Sequence, residues 1–276
     1  MPNYDASTDT WSLVDFSTSA ASVDLVSDLL WGLGVVAIEE ISNVDGSVTL
    51  RTSMGNDPAA AISTVSAAFP GMVVARLEIA RSIADTWREH ASPTHVVDDI
   101  WLVPAWVPVP EGARGILLEP LDTFGLGNHP TTVLALELAL EHADLSGTVF
   151  DLGCGSGVLA VAASKLRGAV CEVYDIAENS RQAVALNADL NGIAAPTWVH
   201  ERPSRPVGTV LANILAPVLI DLAPTIIGST EPGGHMVLSG MRSDQIDRVL
   251  NAYIGTREIA RRERDGWVAT VLTRAR

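Results

Sequence analysis

The chain is poor in cysteine, lysine and aromatic side chains. Two cysteines, Cys154 and Cys171, stand among 276 residues. That excludes a disulfide framework, and a cytoplasmic, reducing compartment is expected. Lys165 is the one lysine, so Schiff-base chemistry from lysine has nowhere else to sit. Positive charge as a whole is scarce: 18 Lys and Arg against 33 Asp and Glu give a net charge of -15. A nucleic-acid backbone needs a basic face, so no direct nucleic-acid binding is expected. A basic protein partner would be attracted, although net charge also serves solubility alone. No membrane association is expected. The apolar stretch from Val210 to Ala223 is broken by Asn213, Pro217 and Asp221. The segment from Met1 to Asp5 lacks the basic and apolar parts of a signal peptide. The histidines show no metal-ligand spacing with one another or with cysteine, and no metal site is expected.

What the sequence does have is a run of patterned elements in two styles. Trp11 to Phe16 reads as a strand, and Val23 to Leu33 has helical periodicity stopping at Gly34. Val35 to Ile41 and Ser47 to Arg51 are strands about a turn at Asn43 to Gly46. Asp57-Pro58 opens a helix with proline at its first position, and Met72 to Ile79 is a further strand. This β-α-β-β-α-β order is the ferredoxin-like arrangement. It carries no catalytic cluster and reads as a recognition domain over residues 1–80. Residues 81–112 form an expected connector, with a short helix over Ser82 to His90, a strand at Ile100 to Val103, and stiffening prolines at 104, 108 and 110. Over residues 113–276 strand and helix alternate, which implies a parallel sheet wrapped by helices. Strands are expected at Thr209 to Ala212 and His235 to Ser239. A closing hairpin is expected from Arg257 to Thr273, turning at Arg264-Asp265-Gly266.

The chemistry concentrates at Val149-Phe150-Asp151-Leu152-Gly153-Cys154-Gly155-Ser156-Gly157, followed by the helix-forming Val158 to Ala163. Strand, tight glycine turn and helix follow one another. Dinucleotide enzymes use G-x-G-x-x-G and aim a helix at a pyrophosphate. Here the order is acid-x-G-x-G-x-G, and an acid at a strand end suits a cationic ligand end. That points to S-adenosylmethionine, whose methionine part carries an ammonium group and which has no phosphate. A glycine-rich turn of any α/β protein is the plain alternative. Asp175 ends the next apolar stretch, at the distance expected of an acid that bonds ribose hydroxyls. It could equally cap the helix that follows.

The chain resembles, along almost its whole length, the bacterial methyltransferases that act on large-subunit ribosomal protein L11. The resemblance rests on Glu119-Pro120 with Phe124 to Thr132, then Asp151 to Gly157, then Asn213-Ile214-Leu215-Ala216. Leu126 and Gly208 depart from the family pattern, where a threonine and an aspartate are usual. The resemblance implies a class I, Rossmann-like S-adenosylmethionine-dependent methyltransferase domain behind a small ferredoxin-like α+β domain that holds a ribosomal protein substrate. The expected cofactor residues are Thr132, Asp151, Gly153, Gly155, Gly157, Asp175 and Asn213. The expected residues at the reacting groups are Asn213, Phe124 and His129, with capping or loop packing as the other role for His129. The acceptors are expected to be lysine side chains or an N-terminal amine. A degenerate methyltransferase-fold binding protein, or an enzyme acting on protein glutamine or a nucleobase amine, are the alternatives.

Overall fold

Alternating apolar side chains dictate the first sheet. Val14, Phe16 and Leu50 point to one side of their strands and are fully buried there with Val26, Leu30 and Val65 of two helices. The computed structural model describes residues 10–33, 35, 38–53, 58–80, 88, 91–121, 123 and 127–276. It divides into two units, Met1–Ala91 and Ser92–Arg276.

The first unit runs β1 (Thr10–Ser19), α1 (Val23–Gly32), β2 (Ile38–Ser42), β3 (Ser47–Thr52), α2 (Ala59–Ala68) and β4 (Val73–Ala80). The strands lie in the order β2-β3-β1-β4 with antiparallel neighbours, the split arrangement expected of this element order. On the face away from the core, Arg51 donates a forked pair of bonds to Asp15, its cross-strand partner, at 2.8 and 2.9 Å. Pro58 is the N-cap of α2, one place ahead of the position expected for it. The helix expected over Ser82 to His90 lies outside the described residues except for Arg88.

The second unit begins at Ser92, ahead of the boundary expected at residue 113. Three short strands, β5 (Thr94–Val97), β6 (Ile100–Pro104) and β7 (Arg114–Leu118), form a small sheet in that order. Then come α3 (Pro130–His142), β8 (Thr148–Leu152), α4 (Val158–Arg167), β9 (Val170–Tyr174), α5 (Ser180–Leu190), β10 (Thr197–Trp198) and β11 (Val207–Asn213). The chain ends with α6 (Ala216–Asp221), α7 (Ala223–Ser229), β12 (Thr230–Arg242), α8 (Ile246–Ala252), β13 (Thr256–Arg264) and β14 (Trp267–Arg274). Seven strands make one sheet, β10-β9-β8-β11-β12-β14-β13. The first five are mutually parallel, while β14 runs antiparallel to both its neighbours.

Both faces of this sheet are buried. Val149, Leu211 and Val237 belong to one apolar layer, and Phe150, Val210, Ala212, Met236 and Leu238 to the other. Such near-continuous apolar strands are the mark of a parallel sheet covered on both sides. The closing hairpin turns through Asp265 and Gly266, both at positive φ, as a two-residue β-turn of the primed type requires.

Among the described residues the outer edge of β7 has no strand beside it, and its backbone is satisfied by side chains. Lys165 donates to the Gly115 carbonyl at 2.8 Å. Asn191 accepts from the Leu117 N–H at 3.0 Å and donates to the Leu117 carbonyl at 2.7 Å. Asn187 does the same for Glu119, at 2.7 and 3.1 Å. Alternate residues of the edge are thus held by polar groups of α4 and the α5 region, which answers the demand of a buried edge for partners.

Candidate active site

The order of the sheet reverses between β8 and β11. The first connects to β9 on one side, and the second to β12 on the other. Open α/β sheets bind ligands outside the carboxyl ends of strands at such a switch point. The glycine turn and Asn213 both lie there, at the ends of β8 and β11.

The turn is built by its own backbone. The N–H groups of Gly153 and Cys154 both donate to the Tyr174 carbonyl, at 2.8 and 3.1 Å, and Gly157 N–H donates to Cys154 at 2.7 Å. Gly153 has φ +74, and a Cβ there would run into Cγ2 of Ile214. Gly157, at φ +79, is the N-cap of α4, with a Cβ position 2.9 Å from Val184. Only glycine meets both demands at these places. Cys154 and Cys171 are buried free thiols; burial pushes the Cys171 thiol up to about 12 and the Cys154 thiol higher still.

Asp151 and Asp175 divide the electrostatic work. Asp151 is 1% exposed and accepts from the Ala160 N–H at 3.1 Å, in the first turn of α4. Burial pushes its carboxyl up to about 7. The Ala160 bond opposes that shift and the charge of Asp175 adds to it. Asp175 is half-buried and joins two segments. Its Oδ2 accepts from Gly155 N–H at 2.8 Å and its Oδ1 from Ala177 N–H at 2.8 Å. It is not the helix cap considered above, because α5 starts at Ser180 behind Asn179. Ile176 beside it is an apolar side chain 82% exposed.

Opposite the turn stand the start of α3 and the end of β11. Asn213 donates from Nδ2 to the Thr132 hydroxyl at 3.3 Å, and its Oδ1 meets no donor among the described residues. Thr132 is fully buried. Ser239, the register partner of Asn213 on β12, donates to the Thr131 carbonyl at 2.9 Å. Gly240 at φ +90 lets the end of β12 close on the backbone of Ile214. The helix cap of α3 is His129: its Nδ1 accepts from Thr131 N–H at 3.3 Å and lies 2.8 Å from the Thr131 hydroxyl. The ring meets Trp267 edge-on at a centroid distance of 4.9 Å, and burial lowers its pKa. Capping and packing therefore account for the contacts on Nδ1 and on the ring. Phe124 lies outside the described residues.

Thr132 and Asn213 are thus brought together by a hydrogen bond, and Gly153, Gly155, Gly157 and Asp175 by the turn. Asp151 stands apart, buried against α4. Sequence reasoning missed Ile176, Ile214 and Asn187. The spacing of Asn187 and Asn191 on one helical face was a visible signal. Its meaning depends on β7, which was not recognised as a strand.

The residues fit an adenosyl cofactor with a cationic end better than a pyrophosphate. The first turn of α4, where a phosphate would seek free N–H groups, already holds the Asp151 carboxyl. Asp175 and Asn213 supply acceptor oxygens and Ile176 an apolar surface. Among the described residues no group of His, Cys, Asp and Glu could hold a metal ion, and no helix is long and apolar enough to cross a membrane.

A parallel sheet closed by an antiparallel hairpin, with this turn at its switch point, is the class I methyltransferase fold. A family model described as ribosomal protein L11 methyltransferase (PrmA) matches residues 80–275, and the chain belongs to that family. It is similar to the ribosomal protein L11 methyltransferase of Azotobacter vinelandii, with 40% identity over 190 residues, covering 66% of this chain and 65% of that one. For the protein of the same description from Vibrio campbellii the identity is 42% over 173 residues, covering 60% and 58%. The matched part is therefore 58–65% of the length of these relatives, less than two thirds. A crystal structure of ribosomal protein L11 methylase from Lactobacillus delbrueckii subsp. bulgaricus superposes with a TM-score of 0.61 at 30% identity. It covers 67% of this chain and all of that one.

Proposed function

We propose that the chain transfers methyl groups from S-adenosylmethionine to amino groups of ribosomal protein L11, on lysine side chains or the N-terminal amine, in the cytoplasm. The observation that carries this reading is the family match over residues 80–275 together with Asp175 bonded to the glycine turn of that segment and Asn213 at the end of the strand next to β8.

In this reading Asp175 accepts the ribose hydroxyls, using oxygens that its two backbone bonds hold in place. Gly153, Gly155 and Gly157 let the methionine part lie against the turn. The bound cofactor supplies an electrophilic methyl on a sulfonium, so the protein's task is chiefly alignment. Asn213, tethered through Nδ2 to Thr132, presents Oδ1 to an N–H of the incoming amine and so aims its lone pair. The amine reacts only when neutral, and apolar surroundings favour that form. Asp151 stays in place as the hold on α4, and an ammonium group nearby would draw it toward its ionised form. His129 anchors the start of α3. The first unit carries none of these residues and lies, up to residue 79, before the matched segment, and it is assigned to holding the protein substrate.

Incubating the full chain with S-adenosylmethionine and purified L11, followed by intact-mass analysis, tests the reading. Mass increments of whole methyl groups on L11, located to lysine or the N-terminus by peptide mapping, are expected. Cofactor binding without any transfer to L11 would point to another acceptor.

A further inference from the structure

We infer that Asn187 is a positioning residue for the cofactor turn. The inference rests on the reading of that turn as the cofactor site. Asn187 is fully buried on α5, and its amide joins three backbone groups from two distant segments. Its Oδ1 accepts from Glu119 N–H at 2.7 Å, and its Nδ2 donates to the Glu119 carbonyl at 3.1 Å. The same Nδ2 donates to the carbonyl of Ser156 at 2.8 Å. Ser156 lies between Gly155, whose N–H meets Asp175, and Gly157, which caps α4. One side chain therefore ties the glycine turn to the end of β7.

Gly153, Gly155 and Gly157 all have left-handed φ, and the Ser156 carbonyl between the last two is fixed by the Asn187 amide. The other end of the tie carries local bonds of its own. Leu121 sits at φ +50, a costly conformation for leucine, with its N–H bonded to the Glu119 carboxyl at 3.2 Å. The Thr123 hydroxyl donates to the Pro120 carbonyl at 2.6 Å. Asn191, one helical turn along, provides the contrast. It clasps β7 in the same way through Leu117, but among the described residues it makes no bond to the glycine turn.

The test compares Asn187→Ala with Asn191→Ala in the full chain, using S-adenosylhomocysteine calorimetry, the KM and kcat for S-adenosylmethionine, and Tm. Both variants should lose stability, since each removes one of the side-chain clasps along β7. Only Asn187→Ala should weaken S-adenosylhomocysteine binding, by about tenfold, the worth of one misplaced hydrogen-bonding group. KM should rise by a similar factor, with kcat changed less than about twofold. Should Asn187→Ala not fold, Asn187→Asp carries the comparison, because it keeps the acceptor for Glu119 and the side-chain volume but has at most one donor hydrogen and cannot serve both the Glu119 and Ser156 carbonyls. Equal affinity in the Asn187 and Asn191 variants, whether retained or lost, would overturn the inference. Absence of binding by the wild-type chain would instead overturn the reading of the turn.

Discussion

The two sheets of this protein treat their faces differently. The four-stranded sheet buries one face against two helices and leaves the other to polar contacts such as Asp15 with Arg51. The seven-stranded sheet buries both faces, so polar groups with work to do are driven to its edge. That edge is where Asp175, Asn213 and the glycine turn converge. A one-faced sheet offers a surface for a large partner; a two-faced sheet offers a cleft at its end for a small one.

The largest expected effect breaks one side of this comparison and spares the other. Phe16 is fully buried in a core of eight buried apolar side chains among the described residues. Phe16→Ala should cost the first unit about 3–5 kcal/mol and unfold much of it. Affinity for S-adenosylhomocysteine should stay within a few fold, while methylation of L11 is lost. Circular dichroism, calorimetry and a methylation assay on the same sample would check this.

Glycines sharpen the contrast. Gly153 and Gly46 both have left-handed φ, but only Gly153 has a neighbour, Ile214, in the place of a Cβ, while Gly46 has nothing within 4 Å. Gly153→Ala should cost on the order of 2–4 kcal/mol from strain and overpacking together and remove cofactor binding. Gly46→Ala should cost about 1 kcal/mol and leave binding alone. Chemical denaturation of both variants would separate the two costs.

A pH effect is expected in the second unit from Asp151. Its folded pKa is raised to about 7, so the folded state holds the proton more tightly than the unfolded chain. The associated stability is fully present below the unfolded value and is lost as pH rises through about 7. Asp151→Asn, which can still accept from Ala160, should match the wild type only near pH 3, below the unfolded value. By pH 8 it should be more stable by on the order of 2–4 kcal/mol, in the absence of cofactor. Tm curves at several pH values provide the comparison. The smallest effect is at Leu121, where Leu121→Gly relieves the left-handed strain and should stabilise by about 0.5–1 kcal/mol, read from denaturant midpoints.

Much of this was legible in the sequence, for local reasons. The glycine spacing with Asp151 and Asp175 located β8, α4 and β9, because a tight turn needs glycine wherever it occurs. Asp265-Gly266 announced the closing hairpin, since few other residues fit that turn. The order of the first unit's elements followed from alternation about Val14, Phe16 and Leu50, while β1 runs past the expected Phe16 to Ser19. The missed features are non-local. Thr94–Val97 and Arg114–Leu118 are short and flank a proline-rich stretch, so they read as connector until the sheet pairs them through Ile100–Pro104. The clasp of Asn187 and Asn191 on β7 joins residues about 70 positions apart, a separation that periodicity does not reach. Asp151 was legible as an acid at a strand end, but its burial and its bond to Ala160 depend on how α4 packs.

The central claim is that the turn from Asp151 to Gly157, with Asp175, binds an adenosyl cofactor. Calorimetric titration of the full chain with S-adenosylhomocysteine, repeated on Asp175→Ala, tests it most directly. The account predicts one site per chain, weakened in the variant by about 1–3 kcal/mol as expected for lost charged hydrogen bonds. No binding of S-adenosylhomocysteine by the wild type, with a nicotinamide dinucleotide bound in its place, would contradict it.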